Sequence, residues 1–270
     1  MAIKVCDAIM GSGKSSSAIN YMNEHPQQKY IYITPYLEEA VRIRKSCPAL
    51  NFREPSGKIP EFEFKKYKHT LGLISSGENI TSTHNMFLRY SDDMIDLIKK
   101  HNYVLIIDEA VEVLRPSGIT KSDMQLLEKA GWVTKDNDII RLSPSFDYEG
   151  GFANEIVALS KGNRLVDMPG DGYGNLYYYW LFSKDIFMAF KDVIVLTYLF
   201  EAQTMKYYFD MTNIQYEKIG IRYDKKNGYH FCDEMKYVPE YTKTLSEKIH
   251  IFDNDKLNAI GNAKTALSYT

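Results

Sequence analysis

An apolar strand pattern at Ile3–Ile9 runs without a break into Ala8-Ile9-Met10-Gly11-Ser12-Gly13-Lys14-Ser15, and helical spacing takes over from about Lys14 to Asn23. No other stretch limits the fold so sharply. A strand, a glycine loop and a helix in immediate succession form half of a βαβ unit, which requires a parallel partner strand and hence an α/β sheet. The loop also carries its own chemistry. Gly11 and Gly13 permit torsions closed to other residues and let main-chain amides approach an anion. The start of the helix adds unpaired N–H groups and the positive end of its dipole. Met10 through Ser16 are therefore the expected phosphate contacts. Lys14 is placed to reach the outer phosphates, and the Ser15 hydroxyl to ligate a divalent cation.

The remaining pattern agrees with such a sheet. Tyr30–Thr34 is a second apolar strand stopped by Pro35, and Leu37–Lys45 has helical spacing. A short helix is expected near Thr70–Ile74, a β run at Ile80–Thr83, and a helix from the Ser91 cap to about Lys100. Val104–Ile107 is a continuous β-branched run of the kind buried on both faces of a parallel sheet. A helix near Lys121–Lys129, a hairpin at Trp132–Leu142, and a glycine-rich stretch at 147–175 follow. Next come a strand at Val193–Leu196, a helix from about Glu201 to Asp210, and a strand at Gln215–Ile221. The alternation predicts a doubly wound, mainly parallel sheet in three αβα layers. Residues 1–225 form the main domain with an irregular insertion at about 111–185, and 226–270 form a C-terminal extension or the start of a second domain.

The Val104–Ile107 strand ends on Asp108-Glu109-Ala110. Right-handed crossovers bring this strand tip to the same carboxyl edge as the glycine loop. Asp108 is then the expected partner of the cation beside Ser15, and Glu109 the expected base or positioner for a water attacking the terminal phosphate. Lys14, Asp108 and Glu109 form the expected catalytic set.

With these two motifs in order, the chain resembles the first RecA-like motor domain of superfamily 2 helicases and translocases. Ala8–Ser15 is similar to their motif I and Asp108-Glu109-Ala110 to the start of a DEAD/DEAH-type motif II. Tyr32-Ile33-Thr34-Pro35 is similar to motif Ia, and Ile80-Thr81-Ser82-Thr83-His84 to a later segment that touches the nucleic-acid backbone. Val195-Leu196-Thr197-Tyr198-Leu199 stands where a Ser-Ala-Thr motif couples hydrolysis to the bound strand, with Tyr198-Leu199 a departure from it. The resemblance implies a RecA-like P-loop NTPase that hydrolyses ATP with Mg²⁺. Thr34, Pro35, Thr81, Ser82, Thr83 and His84 would lie against single- or double-stranded nucleic acid, DNA favoured, with Thr197 as the coupling residue. It also implies an arginine finger from a second RecA-like domain. The chain beyond Asp210 is too short to supply one, so the finger is expected from a partner subunit or from further sequence.

Composition limits these readings. With a net charge of −2 and a pI near 6.3 there is no global basic field, so nucleic-acid binding would need a local patch. The three cysteines are far apart, as in a reduced cytoplasmic protein. No apolar run approaches the roughly 20 residues of a membrane span, so no membrane partner is expected. Aromatic residues make up 13% of the chain, which fits either an aromatic-lined surface or a tyrosine-rich core. Tyr177-Tyr178-Tyr179-Trp180 reads better as a packed β run than as a base-stacking surface. Lys65-Lys66-Tyr67-Lys68-His69 reads as a solvated segment, and Lys225-Lys226-Asn227-Gly228 as a hairpin turn. Two other functions fit the same motifs: a terminase-type packaging ATPase, and a nucleotide-gated protein-binding module without motor activity.

Overall fold

The β-branched runs pair in parallel, and helices cover them on both faces. The computed structural model describes residues 2–136, 139–143, 164–169 and 176–233. In chain order these contain β1 (Ile3–Asp7), α1 (Lys14–Glu24), β2 (Tyr30–Thr34), α2 (Leu37–Ser46), α3 (Lys66–Ser75), β3 (Ile80–Thr83), α4 (His84–Phe87), α5 (Asp92–His101) and β4 (Val104–Asp108). Next come β5 (Leu114–Pro116), α6 (Lys121–Lys129), β6 (Val133–Asp136), β7 (Ile139–Leu142), β8 (Arg164–Pro169) and β9 (Leu176–Leu181). The last described elements are α7 (Lys184–Met188), β10 (Asp192–Thr197), α8 (Thr204–Met211), β11 (Tyr216–Asp224) and β12 (Gly228–Cys232).

Seven strands form one sheet in the order β12-β11-β1-β10-β4-β2-β3. All neighbours are parallel except β11 and β12, a hairpin closed by the expected Lys225–Gly228 turn. Every residue of β2 and β4 is buried, which is why their sequences are continuous apolar runs without a polar face. On one face Cys6, Tyr32, Ile106 and Leu196 pack under Ala18 and Met22 of α1 and Ile43 of α2. On the other, Val5, Ile33, Ile107 and Val195 pack against residues of α4, α5, α7 and α8, including Phe87, Met94, Phe187 and Phe209.

The segment between β4 and β10 contains a second sheet, antiparallel, in the order β5-β9-β8-β7-β6. It occupies the expected insertion, and Val133, Ile140, Leu165, Tyr178 and Trp180 join the same core as the second face of the main sheet. Tyr178 and Trp180 are packed as expected of a β run. The basic Lys65–His69 run is only partly solvated. It opens α3, His69 is buried, and the His69 ring accepts a bond from the Ser56 amide at 2.9 Å. Ser91 does precede α5, but its hydroxyl donates to the Asp93 carboxylate (2.7 Å) rather than receiving a helix amide. Most of the glycine-rich stretch and everything after residue 233 lie outside the described residues.

Much of the aromatic content is core. Tyr30, Tyr32, Tyr90, Tyr103 and Tyr208 are fully buried. Burying a phenol is least costly when its hydroxyl is bonded, and Tyr30, Tyr103 and Tyr208 donate to the carbonyls of His25, Glu78 and Phe182, while the Tyr90 hydroxyl is buried without a partner. No helix among the described residues is long and apolar enough to cross a membrane.

One buried side chain joins the open edge of the sheet to the preceding loop. Asn79 accepts from the Tyr30 amide and donates to the Leu50 carbonyl, both at 2.7 Å, as the chain enters β3. Asn79→Ala leaves a buried donor and a buried acceptor unpaired, at roughly 1–3 kcal/mol each. Urea unfolding of this variant is expected to show a stability loss of about 2–4 kcal/mol. A loss under about 0.5 kcal/mol, the size of an ordinary surface change, would show that this bridge adds nothing.

Candidate functional site

β10 lies between β1 and β4, and its last two carbonyls hold both candidate loops. The Thr197 carbonyl accepts the amide of Ala8, the first residue of the glycine loop, at 3.0 Å. The Leu196 carbonyl accepts the amide of Glu109 at 2.8 Å on the other side. Successive carbonyls of a strand point to opposite neighbours, so one strand end positions two loops. The chain leaves β1 for β2 on one side of it and reaches β11 on the other. The carboxyl edge at β1 is thus a topological switch point, where open α/β sheets bind ligands.

In the loop, Gly11 and Gly13 have φ of 74° and 95°, in the left-handed region that glycine enters without strain. Gly13 caps α1, whose opening amides have no helical acceptor ahead of them. Lys14 is 7% exposed, and its Nζ donates to the carbonyls of Ala8 (2.6 Å) and Ile9 (3.1 Å), folding the loop around its own ammonium group. The Ser12 hydroxyl is buried without a partner, while Met10 at the loop tip is 82% exposed. Ser15 and Ser16 are half-buried in the first turn.

Asp108 ends β4 beneath this loop. Its Oδ2 accepts the Ser15 hydroxyl at 3.3 Å and the Tyr32 hydroxyl at 2.9 Å. Burial pushes the Asp108 carboxyl above its ordinary range. The Tyr32 bond pulls it back, the charges of Glu39 and Glu109 raise it, and the Ser15 bond lowers it. Burial likewise drives the Tyr32 phenol well above its usual range, so it stays a donor. The next residue, Glu109, is exposed and has a φ of 63°. That left-handed torsion, uncommon for a residue with a side chain, turns the chain out of the strand and brings the second carboxylate to the solvent side. Ser15 and Asp108 thus offer a hydroxyl and a carboxylate oxygen at one point, a hard pair suited to Mg²⁺, which fills its other positions with phosphate oxygens and water. Among the described residues no three His, Cys, Asp or Glu side chains gather into a cage.

The other expected site residues line the same carboxyl edge in a different way. Thr34, Thr81, Ser82 and Thr197 are buried, while Pro35 and Thr83 are half-buried at the ends of β2 and β3. Thr81 accepts a bond from Arg44 (3.1 Å), the Ser82 hydroxyl is buried without a partner, and Thr197 donates to Gln203 (3.0 Å). His84 faces the acidic strand. Its Nε2 donates to the Asp108 carbonyl at 2.9 Å, which fixes the tautomer because a carbonyl only accepts. Burial lowers the His84 pKa against the raising effect of that bond, so the ring is a neutral brace at neutral pH. Tyr32, bonded to Asp108, is a residue of the site that sequence reasoning did not assign to it. A tyrosine inside an apolar strand reads as core, and only its partner shows the second role.

A carboxyl whose folded pKa is raised holds its proton longer in the folded chain than in the unfolded one. As pH rises above the usual aspartate range the unfolded chain ionises first, and stability is lost up to the raised value. Asn keeps the shape of Asp108 and has no proton to lose. Asp108→Asn is therefore expected to unfold at higher urea concentration than the parent at pH 7, with the difference shrinking as pH falls into the usual aspartate range. A difference that stays constant with pH would show that Asp108 ionises normally in the folded protein.

No family model matches the sequence. The chain is similar to the SPbeta prophage-derived uncharacterized protein YonV of Bacillus subtilis (strain 168), with 34% identity over 279 aligned positions. The match covers 98% of this chain and 65% of that protein, so the chain spans about two thirds of the length of its relative.

Proposed function

We propose that this protein is a RecA-like, Mg²⁺-dependent P-loop ATPase whose turnover is coupled to nucleic acid, DNA favoured, in the manner of superfamily 2 helicases and translocases. The observation that carries the proposal is the Ser15 hydroxyl 3.3 Å from the Asp108 carboxylate, at the mouth of a glycine loop that ends on Lys14. Two oxygens of the kind that share a cation in such enzymes come from motifs 93 residues apart and meet at one point.

The roles follow from the chain's own atoms. The amides from Gly11 to Ser15 and the Lys14 ammonium bind the β- and γ-phosphates, with Lys14 exchanging the Ala8 and Ile9 carbonyls for phosphate oxygens. Ser15 Oγ and Asp108 would hold the magnesium, which would supply positive charge to neutralise the phosphate oxygens. Tyr32 and His84 keep Asp108 from turning away, one through its carboxylate and the other through its carbonyl. Glu109, exposed beside them, orients a water toward the γ-phosphorus and takes its proton on a carboxylate oxygen as the bond to the β-phosphate oxygen breaks.

A second reading has its own support. The hydroxyls of Thr34, Thr81, Ser82 and Thr197 are buried, so a polymer on this edge would meet main chain and neighbouring groups instead. The exposed side chains here include Met10, Tyr36, Leu37, Tyr198 and Leu199, an apolar rim of the kind found at protein contacts. This favours a nucleotide-gated protein-binding module. A packaging ATPase of the terminase type shares the phosphate site but gains nothing specific from the rim.

Lys14→Ala is expected to abolish nucleotide binding by calorimetry. Glu109→Gln should bind ATP as the parent does and lose at least about 100-fold in kcat. Normal turnover in Glu109→Gln would remove the carboxylate from the mechanism. Phosphate release measured with single-stranded DNA, duplex DNA and RNA separates the two readings. Stimulation by any of them supports the motor, and a rate indifferent to all three supports the gated module.

A further inference from the structure

We propose that the β11–β12 hairpin forms the nucleoside side of the site and that the exposed ring of Tyr223 is the stacking platform for the base. This rests on the phosphate-site reading above and adds to it the part of the ligand that the loop and acids leave unaddressed.

The register puts the hairpin beside the loop. β11 follows β1 in parallel, with Cys6 opposite Ile219, and β1 ends one residue later at Asp7. Ile221 to Asp224 therefore run on past the end of β1, and the hairpin they enter lies against α1. One face of the hairpin is continuous. Ile221 opposes Phe231 and Tyr223 opposes Tyr229, and alternate residues of a strand share a face. The inner pair packs on α1, with Ile221 and Phe231 against its core and Phe231 edge-on to Tyr21 at 6.1 Å. Of the outer pair, Tyr229 reaches the loop at Gly13, and Tyr223 stands beside it.

Two contacts anchor it there. The Tyr229 ring lies directly on Gly13, where a Cβ would come within 2.3 Å of ring carbon Cδ1. Asn20 of α1 donates to the carbonyls of both Asn227 (3.2 Å) and Tyr229 (2.9 Å), tying the hairpin tip to the helix that the loop opens. Asp224 closes the turn by accepting the amides of Lys226 and Asn227 at 2.8 and 2.9 Å. The Tyr229 ring therefore packs on Gly13 from outside the loop, in space that any side chain at that position would need. Tyr223 is next to it, with ring centroids 4.9 Å apart, and remains 61% exposed. A large ring is left open on a face otherwise used for burial, one ring away from the phosphate loop and on a braced support. A nucleoside extending from phosphates held at Gly13 and Lys14 meets this wall. A ring face reads no hydrogen-bond code, so the platform favours the larger purines without choosing between adenine and guanine.

The test compares calorimetric affinities of a non-hydrolysable ATP analogue and of inorganic tripolyphosphate, both with Mg²⁺, for the full chain and three variants. Tyr223→Ala is expected to bind the ATP analogue about tenfold more weakly and tripolyphosphate as the parent does, with Tyr223→Phe restoring the parent value. Because Tyr223 is exposed, its removal is not expected to disturb folding, and an unchanged urea midpoint checks this. Unchanged analogue affinity in Tyr223→Ala, while Lys14→Ala loses both ligands, would overturn the platform and leave the phosphate site standing. An equal loss of both ligands in Tyr223→Ala would also overturn it, by showing a role in the loop rather than at the base. A parent chain that binds neither ligand would sink the platform together with the phosphate-site reading.

Discussion

The site depends on the end of β10. Two consecutive carbonyls, of Leu196 and Thr197, receive the amides of Glu109 and Ala8 from the strands on either side. The glycine loop and the acidic pair meet through the Ser15 hydroxyl and the Asp108 carboxylate, while the main chain of each is bonded to β10. Both are set by one central strand, and a strand in the middle of a parallel sheet is the least deformable element the fold can offer. The separation of Ser15 from Asp108 thereby becomes a property of sheet register instead of loop conformation. A site that had to hold a small cation to a few tenths of an ångström would gain from that arrangement.

Around this frame the chain accepts local costs where chemistry would need them. Asp108 is buried and its ionisation is opposed by burial and by two neighbouring carboxylates. The hydroxyls of Tyr32 and Ser15 offset part of that, and a divalent cation would offset more. Glu109 is held at a positive φ that a glycine would adopt more easily. Buried charge and left-handed torsion at adjacent residues, both at the switch point of the sheet, form the combination expected of a working site in an otherwise regular fold.

The periphery divides into two kinds of surface. The β11–β12 hairpin is tied to α1 and to the glycine loop through Asn20 and Tyr229. The tips after β1, β2 and β10 instead expose Met10, Tyr36, Leu37, Tyr198 and Leu199. These side chains stand on the same carboxyl edge as the loop, so a partner that covered them would sit beside the site.

The sequence alone determined the parts whose signals are local. A glycine loop between strand and helix, a β-branched run ending in two acids, and the turn at Lys225–Gly228 were each readable, because torsional freedom, burial on both faces and turn chemistry act within a few residues. The parallel sheet followed from the alternation of such runs. The tertiary structure alone decided what depends on distant residues meeting: that β10 inserts between β1 and β4, and that 114–181 builds a second antiparallel sheet. It also turned the hydroxyls of Thr81 and Ser82 inward, joined Tyr32 to Asp108, and laid Tyr229 on Gly13. A tyrosine in an apolar strand or a threonine at a strand end has the same local preferences whether it fills a core, braces a carboxylate or faces solvent. Only the neighbour supplied by the fold distinguishes these roles, and that neighbour is set by sheet order and register, which no short stretch of sequence encodes.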